Sequence, residues 1–221
     1  NRGFIMNAIT DTAVSTTAIC NVAVNDLMAL SHLAGVKDIR NYLNGVYIEF
    51  DGDNLAMVAT DGSVIGVIRS GLTGHVGKGQ LLIDHQVIKQ IGKTAEVIQL
   101  QSLELPGHWL LKSGTMQFEF ESIVNSSNYT FPNWRQVFKG LISDPPNNEP
   151  AYYSINLLNK VEKCARSLSY KPSRTQNNFE LTQNGNSSAP VRVPGCERFA
   201  GLLMPVRSEP ILDTFPSSII D

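Results

Sequence analysis

The sequence predicts an α+β fold in which one unit, a strand and a helix followed by three strands, occurs three times. Apolar runs lead into stretches with helical periodicity, and short alternating runs separated by turn residues follow each helix. This order recurs along the 221 residues. Because each unit has one apolar helix face and one apolar sheet face, it cannot bury both alone. We therefore expect the helices to pack against curved antiparallel sheets.

The first unit begins with the apolar run at residues 18–24. Asn25 follows as the predicted N-cap of a helix, because its side chain can accept a hydrogen bond from a free backbone N–H. Residues 40–68 then predict three strands, with Asp-Gly turns at 51–53 and 61–62.

The second unit repeats this order from residue 80. The strand at 80–83 leads to Asp84, the predicted cap of a short helix. Three strands are predicted within 96–105, 108–112 and 116–122, the last from its strict alternation of apolar and polar residues.

A segment rich in Pro, Asn and Ser separates the third unit, which has a strand at 151–155, a predicted cap at Asn156, a helix and three strands. The predicted organisation is an N-terminal extension (1–15), a complete two-unit domain (16–126), a linker (127–150), a half domain of one unit (151–207) and a C-terminal tail (208–221).

Composition favours a protein of the reducing cytoplasm. The net charge of −2 does not indicate nucleic acid or membrane as a partner. Cys20, Cys164 and Cys196 are odd in number and widely spaced, which argues against a disulfide framework and a zinc site. The printed sequence shows no signal-peptide pattern and no apolar run of membrane-spanning length.

The sequence carries no recognisable catalytic set, so we expect no enzyme activity, no catalytic residue and no cofactor or metal. The Gly-Lys-Gly at 77–79 lacks the spacing of a phosphate-binding loop, and the four histidines lack metal-ligand spacing. Asp51, Asp53 and Asp61 resemble a carboxylate cluster, but they stand at turns, where Asp is favoured for backbone geometry.

The third helix is predicted to carry a basic face formed by Lys160, Lys163 and Arg166, with Lys171 just beyond it. One interpretation is a solvated surface, and the other is a surface that faces DNA phosphates. Since no aromatic residues interleave with these cations, the second interpretation implies weak, non-specific binding of duplex DNA.

The opposite face of this helix is apolar and must be covered. It consists of Leu158, Val161, Ala165 and Leu168. Because the third unit has no pseudo-symmetric partner in the chain, we expect either a homodimer through this unit or cover from the N-terminal or C-terminal segment.

Three motifs, in order, resemble the bacterial sliding clamp, the DNA polymerase III beta subunit. They are the segment at 39–67, which contains YLNG and VATDG, then FPNWRQV at 131–137 and LLMPVR at 202–207. The resemblance covers that family's middle domain and the second half of its third domain. It implies a DNA-clamp-like fold.

The resemblance also implies an apolar groove that receives short clamp-binding peptides of polymerases or other replication and repair proteins. Carried over position by position, its lining would be Leu43, Thr60, Gly62, Ile65, Pro132, Val137, Leu202, Met204, Pro205, Val206 and Arg207. Ser63-Val64 departs from the family's usual His-Arg, and Gln136 stands where Arg is common.

The sequence therefore predicts a non-enzymatic, clamp-like replication accessory protein that binds such peptides. The alternative is a DNA-encircling processivity factor, for which four chains would supply twelve units. A clamp-like domain in decay is disfavoured, because all groove-forming segments are present although they lie far apart in sequence. Residues 209–215 loosely resemble a clamp-binding peptide, which raises the alternatives of a loose chain end and of a tail that occupies the groove.

Overall fold

The computed structural model describes residues 17–91, 95–126, 129–143, 145–169 and 178–206. In this part the chain is α+β with two antiparallel sheets, which confirms the predicted fold class. The N-terminal extension at 1–15 and the tail at 208–221 lie outside the described residues.

The smaller sheet has four strands in the order β1-β6-β7-β8. These strands are β1 (Ile19–Ala23), β6 (Val97–Ser102), β7 (His108–Ser113) and β8 (Met116–Glu121). The strand that opens unit one, β1, pairs along its whole length with β6 of unit two. Unit one therefore contributes its first strand to the sheet of unit two.

The larger sheet has seven strands in the order β5-β2-β3-β4-β11-β10-β9. They are β2 (Gly45–Asp51), β3 (Asn54–Thr60), β4 (Val64–Arg69), β5 (Lys78–Asp84), β9 (Glu180–Leu181), β10 (Ala189–Arg192) and β11 (Phe199–Leu203). The strand that opens unit two, β5, pairs with β2 of unit one, and β11 of unit three pairs with β4. One continuous sheet thus connects units one and three.

The described helices are α1 (Val24–Ser31), α2 (His85–Gln90), α3 (Ile123–Ser126), α4 (Trp134–Ser143) and α5 (Ile155–Leu168). The predicted cap at Asp84 is confirmed, since its Oδ1 accepts hydrogen bonds from Gln86 N and Val87 N at 2.7 and 2.8 Å. The predicted cap at Asn25 is wrong, because α1 begins at Val24 and Asn25 therefore lies inside the helix. The Asn25 side chain instead donates a hydrogen bond to Ser167 O at 2.7 Å. Asn156 is likewise inside a helix, which Ser154 precedes as N-cap. No helix in the described ranges is both long enough and apolar enough to cross a membrane.

Helix α4 lies inside the segment that the sequence had indicated as a linker. Trp134, Phe138 and Leu141 lie on one side of this helix and pack on the outer face of the larger sheet, against residues such as Val58 and Leu82. Their spacing of four and three residues is that of an amphipathic helix, and the surrounding Pro and Asn residues hid this signal.

The apolar face of α5 packs against the described part of the chain, so a homodimer is not needed to cover it, and the terminal segments lie outside the described residues. Val161, Ala165 and Leu168 are buried in the same core as Leu27 and Leu30 of α1. The reason is that β11 extends the larger sheet beyond β4, which brings α5 alongside α1. The argument for a homodimer through this face is therefore removed.

A buried ion pair holds unit three to α1. The Asp26 carboxylate is 2% exposed and accepts hydrogen bonds from both terminal nitrogens of Arg198, one of them at 2.7 Å. Arg198 immediately precedes β11, so the pair fixes the strand that continues the larger sheet.

Candidate peptide-binding groove

Four segments that are distant in sequence surround one groove with a volume of about 200 Å³. They are the short 3-10 helix at Asn41–Leu43, the turn between β3 and β4, the start of α4 and the end of β11 with the preceding hairpin. The lining residues are Arg40, Tyr42, Leu43, Thr60, Gly62, Ser63, Val64, Ile65, Phe131, Pro132, Trp134, Val137, Ser188, Leu202 and Met204. The lining is mainly apolar, and Arg40, Thr60, Ser63 and Ser188 add polar groups to it.

The turn between β3 and β4 is fixed by its own side chains. Asp61 Oδ1 accepts hydrogen bonds from Ser63 N and Val64 N at 2.8 and 2.9 Å, and Thr60 Oγ1 accepts from Gly62 N at 3.0 Å. Gly62 has a φ of 93°, which favours glycine. Asp61 thus serves turn geometry, as the sequence indicated, and among the described residues no three potential metal ligands form a group.

Arg40 places a positive charge on the groove beside this turn. Its guanidinium pairs with Asp38 at 2.7 Å, donates to Asp61 O at 3.1 Å and lies about 3.1 Å from the position a Gly62 Cβ would take. The hydrogen bond from Arg40 lowers the pKa of the partly exposed Asp38 carboxyl to about 2. The groove therefore keeps a basic group although Ser63-Val64 replaces the family's usual His-Arg.

The start of α4 supplies an aromatic wall. Phe131 stacks on Tyr47 of β2 with ring centroids 4.3 Å apart. The guanidinium of Arg135 lies 4.2 Å from the Trp134 ring, and that of Arg69 lies 5.5 Å from it. These contacts stabilise the aromatic side chains in their positions on the sheet.

Unit three completes the groove. Leu202 of β11 stands opposite Ile65 of β4 in the ladder, and Met204 N donates to Ser63 O at 2.8 Å. Ser188 Oγ lies 3.0 Å from the sulfur of Met204, whose side chain is 46% exposed. Without unit three, one side of the groove would be missing.

The structure brings together eight of the eleven positions that the resemblance implied. They are Leu43, Thr60, Gly62, Ile65, Pro132, Val137, Leu202 and Met204. Pro205 and Val206 do not line the groove, because the chain turns toward α5 and Val206 N donates to Tyr152 O at 2.7 Å. Arg207 lies outside the described residues.

Sequence reasoning missed seven lining residues. They are Arg40, Tyr42, Ser63, Val64, Phe131, Trp134 and Ser188. Six of these lie within the motifs, and four of the six directly neighbour a predicted lining residue, so position within the motifs was an available signal. Ser188 lies in none of the motifs, and nothing in the sequence indicated it.

The predicted basic face of α5 is largely engaged in ion pairs. Lys160 Nζ lies 2.6 Å from Asp61 Oδ2, and Arg166 pairs with Glu162 on the same helix. Lys163 is exposed. The partial burial of His32, together with the positive charge of Lys163, lowers the pKa of His32. Lys171 lies outside the described residues. Lys160 is therefore already paired with a carboxylate, and the DNA-facing role of these residues stays a prediction.

Comparison with known proteins gives one consistent result. The beta sliding clamp of Vibrio cholerae is 29% identical over 101 residues, which are 46% of this chain and 27% of that protein. Among solved structures, a DNA polymerase sliding clamp from Pseudomonas aeruginosa with ligand has a TM-score of 0.60 at 15% identity, covering 86% of this chain and 66% of its own. A DNA polymerase III subunit beta from Bartonella birtlesii bound to griselimycin also has a TM-score of 0.60, at 16% identity and with coverages of 86% and 66%.

No protein-family model matches the chain. The fold is that of the DNA polymerase sliding clamps. The chain resembles, in sequence and in fold, the bacterial DNA polymerase III beta subunit family, which confirms the resemblance that the motifs carried. It spans 27% of the length of the curated relative and just under two thirds of the length of these two solved relatives.

Proposed function

We propose that this protein is a non-enzymatic, clamp-like replication accessory protein that binds short clamp-interacting peptides in the groove described above. One observation carries the proposal: four segments remote in sequence, including one from the unpaired third unit, meet in a single apolar groove. Such concave, mostly apolar sites with a few convergent polar groups are typical of ligand-binding sites.

The chemistry of the lining suits an extended peptide with apolar anchors. Leu43, Val64 and Leu202 offer aliphatic contacts, and Met204 can adapt to different anchors because its side chain is flexible and polarisable. Arg40 can meet an acidic or carbonyl group of the peptide. The ligand-bound Pseudomonas structure and the griselimycin-bound Bartonella structure are proteins of this fold that bind ligands, which supports the proposal that this chain does so as well.

The resemblance to sliding clamps implies a peptide that contains a Gln and a Leu-Phe pair. We expect such a peptide to bind with a micromolar Kd, which corresponds to a binding free energy of about −8 kcal/mol. Leu43→Ala and Met204→Ala should each weaken this binding by about 1–2 kcal/mol, as truncated anchor contacts do. Isothermal titration calorimetry measures both effects.

Control variants away from the groove are available in the same chain. Met116→Ala on β8 and Leu105→Ala in an exposed loop lie away from the groove and should leave the Kd unchanged. Equal affinity of Leu43→Ala, Met204→Ala and these controls would contradict the groove as the binding site.

Duplex DNA should bind weakly and without sequence preference. Lys160 and Arg166 are already paired with carboxylates, so few cations of α5 remain for phosphates. Fluorescence anisotropy should show an affinity that falls steeply with salt, because phosphate contacts release counterions. Salt-resistant retention on circular but not linear DNA, together with a tetrameric mass by light scattering, would instead establish a closed ring.

A further inference from the structure

Lys160 contacts the groove-forming turn between β3 and β4 and also Ala34, whose neighbour Gly35 is hydrogen-bonded to Leu43. From α5 of unit three, its ammonium reaches Asp61 Oδ2 at 2.6 Å and Ala34 O at 3.2 Å. The side chains of Lys160 and Asp61 are 28% and 15% exposed, so the pair is shielded from solvent more than an ordinary surface pair. Lys160 itself is not a lining residue of the groove.

The first contact bears on the turn between β3 and β4. One oxygen of Asp61 accepts from Ser63 N and Val64 N, and the other accepts from Lys160. The carboxylate is thus held from both sides. Its orientation determines where Ser63 and Val64, both lining residues, are placed.

The second contact bears on the segment that ends at Leu43. Ala34 accepts from Lys160, and the next residue, Gly35, donates its N–H to Leu43 O at 2.8 Å. Hydrogen bonds therefore link the Lys160 ammonium to the turn that carries Val64 and, through the backbone of Ala34 and Gly35, to the segment that carries Leu43.

We propose that Lys160 is a positioning residue of the groove, through which docking of unit three fixes the two segments that bind the peptide. This inference rests on the proposed peptide-binding function. It replaces a DNA-contacting role for Lys160 with a role in peptide affinity, exerted without contact to the peptide.

Lys160→Met keeps the aliphatic stem but removes the charge and the hydrogen bonds. We expect it to raise the Kd for the Gln and Leu-Phe peptide about fivefold, the upper range for a partly exposed ion pair. Asp61→Asn should have a similar effect, because Asn retains the Oδ1 acceptor for Ser63 N and Val64 N, whereas its uncharged Nδ2 cannot accept a hydrogen bond from Lys160. The double variant should be no weaker than either single variant, as expected when both changes remove one interaction.

Two further readouts separate positioning from a general loss of stability. Hydrogen exchange of the Ser63 and Val64 amides should accelerate several-fold in Lys160→Met, while exchange in β7 remains unchanged. Arg166→Met, which breaks an exposed pair on the same helix, should alter neither the Kd nor these amides. Lys160→Arg should restore most of the affinity.

The outcomes distinguish this inference from the function on which it rests. If the wild-type protein binds no peptide, the proposed function fails, and unchanged Ser63 and Val64 exchange in Lys160→Met would then overturn the positioning role independently. If the wild-type protein binds peptide and Lys160→Met binds it equally well, only the role of Lys160 is refuted.

Discussion

Arg198→Met is expected to lower the free energy of unfolding by about 3 kcal/mol, measured by urea denaturation. The substitution leaves the Asp26 carboxylate, which is 2% exposed, without its cationic partner. Removing one partner of a buried pair costs about 3–5 kcal/mol. The Arg198 side chain is 40% exposed, so the lower end of that range applies.

The same variant should also weaken peptide binding, because Arg198 fixes the start of β11, and β11 carries Leu202 into the groove. Arg192→Met is a suitable control, since Arg192 is an exposed arginine of β10 in the same unit. Surface substitutions of this kind change stability by about 0.5 kcal/mol or less. Equal stability of the two variants would show that the buried pair does not hold unit three in place.

Val137→Glu should reduce peptide affinity at least about 100-fold, which corresponds to about 2.7 kcal/mol. Val137 lines the groove from α4 and is 47% exposed in the free protein, so the fold should tolerate a charged side chain there. A bound peptide would bury the new carboxylate against its apolar anchors, and the Arg40 guanidinium of the groove is already paired with Asp38, so the buried charge is costly.

Val97→Glu provides the matched control for this prediction. Val97 begins β6 in the other sheet and is 43% exposed, close to the exposure of Val137. Both variants gain the same charge, but only Val137→Glu should lose peptide binding. Calorimetric titration with the same peptide compares them, and equal affinities would place the binding site elsewhere.

Local signals in the sequence predicted most of the strands and part of the groove. The alternating residues of β8 and the capping carboxylate of Asp84 act over a few residues, so their patterns can be interpreted without the fold. Leu43, Gly62 and Met204 were indicated by motifs that resemble a known family.

Long-range packing could not be predicted in the same way. The cover of α5 by α1 depends on β11 pairing with β4, and no pattern within either strand specifies that partner. Likewise, Lys160 is an unremarkable cation on a helical wheel, and only the fold places it 2.6 Å from Asp61. Asp26 stands in the first turn of α1, where a carboxylate suits the helix dipole, whereas its partner Arg198 lies 172 residues away.

The central claim, that a peptide occupies this groove, is tested most directly by methionine methyl NMR. Met204 lines the groove and is 46% exposed, whereas Met57 is fully buried in the core, and Met28 and Met116 pack against that core from outside the groove. Titration with the Gln and Leu-Phe peptide should shift the Met204 methyl signal in a saturable manner and leave the signals of Met28, Met57 and Met116 in place. A saturable shift at Met116 or Met28 with none at Met204, or no shift at any of the four up to about 1 mM peptide, far above the expected Kd, would contradict the claim.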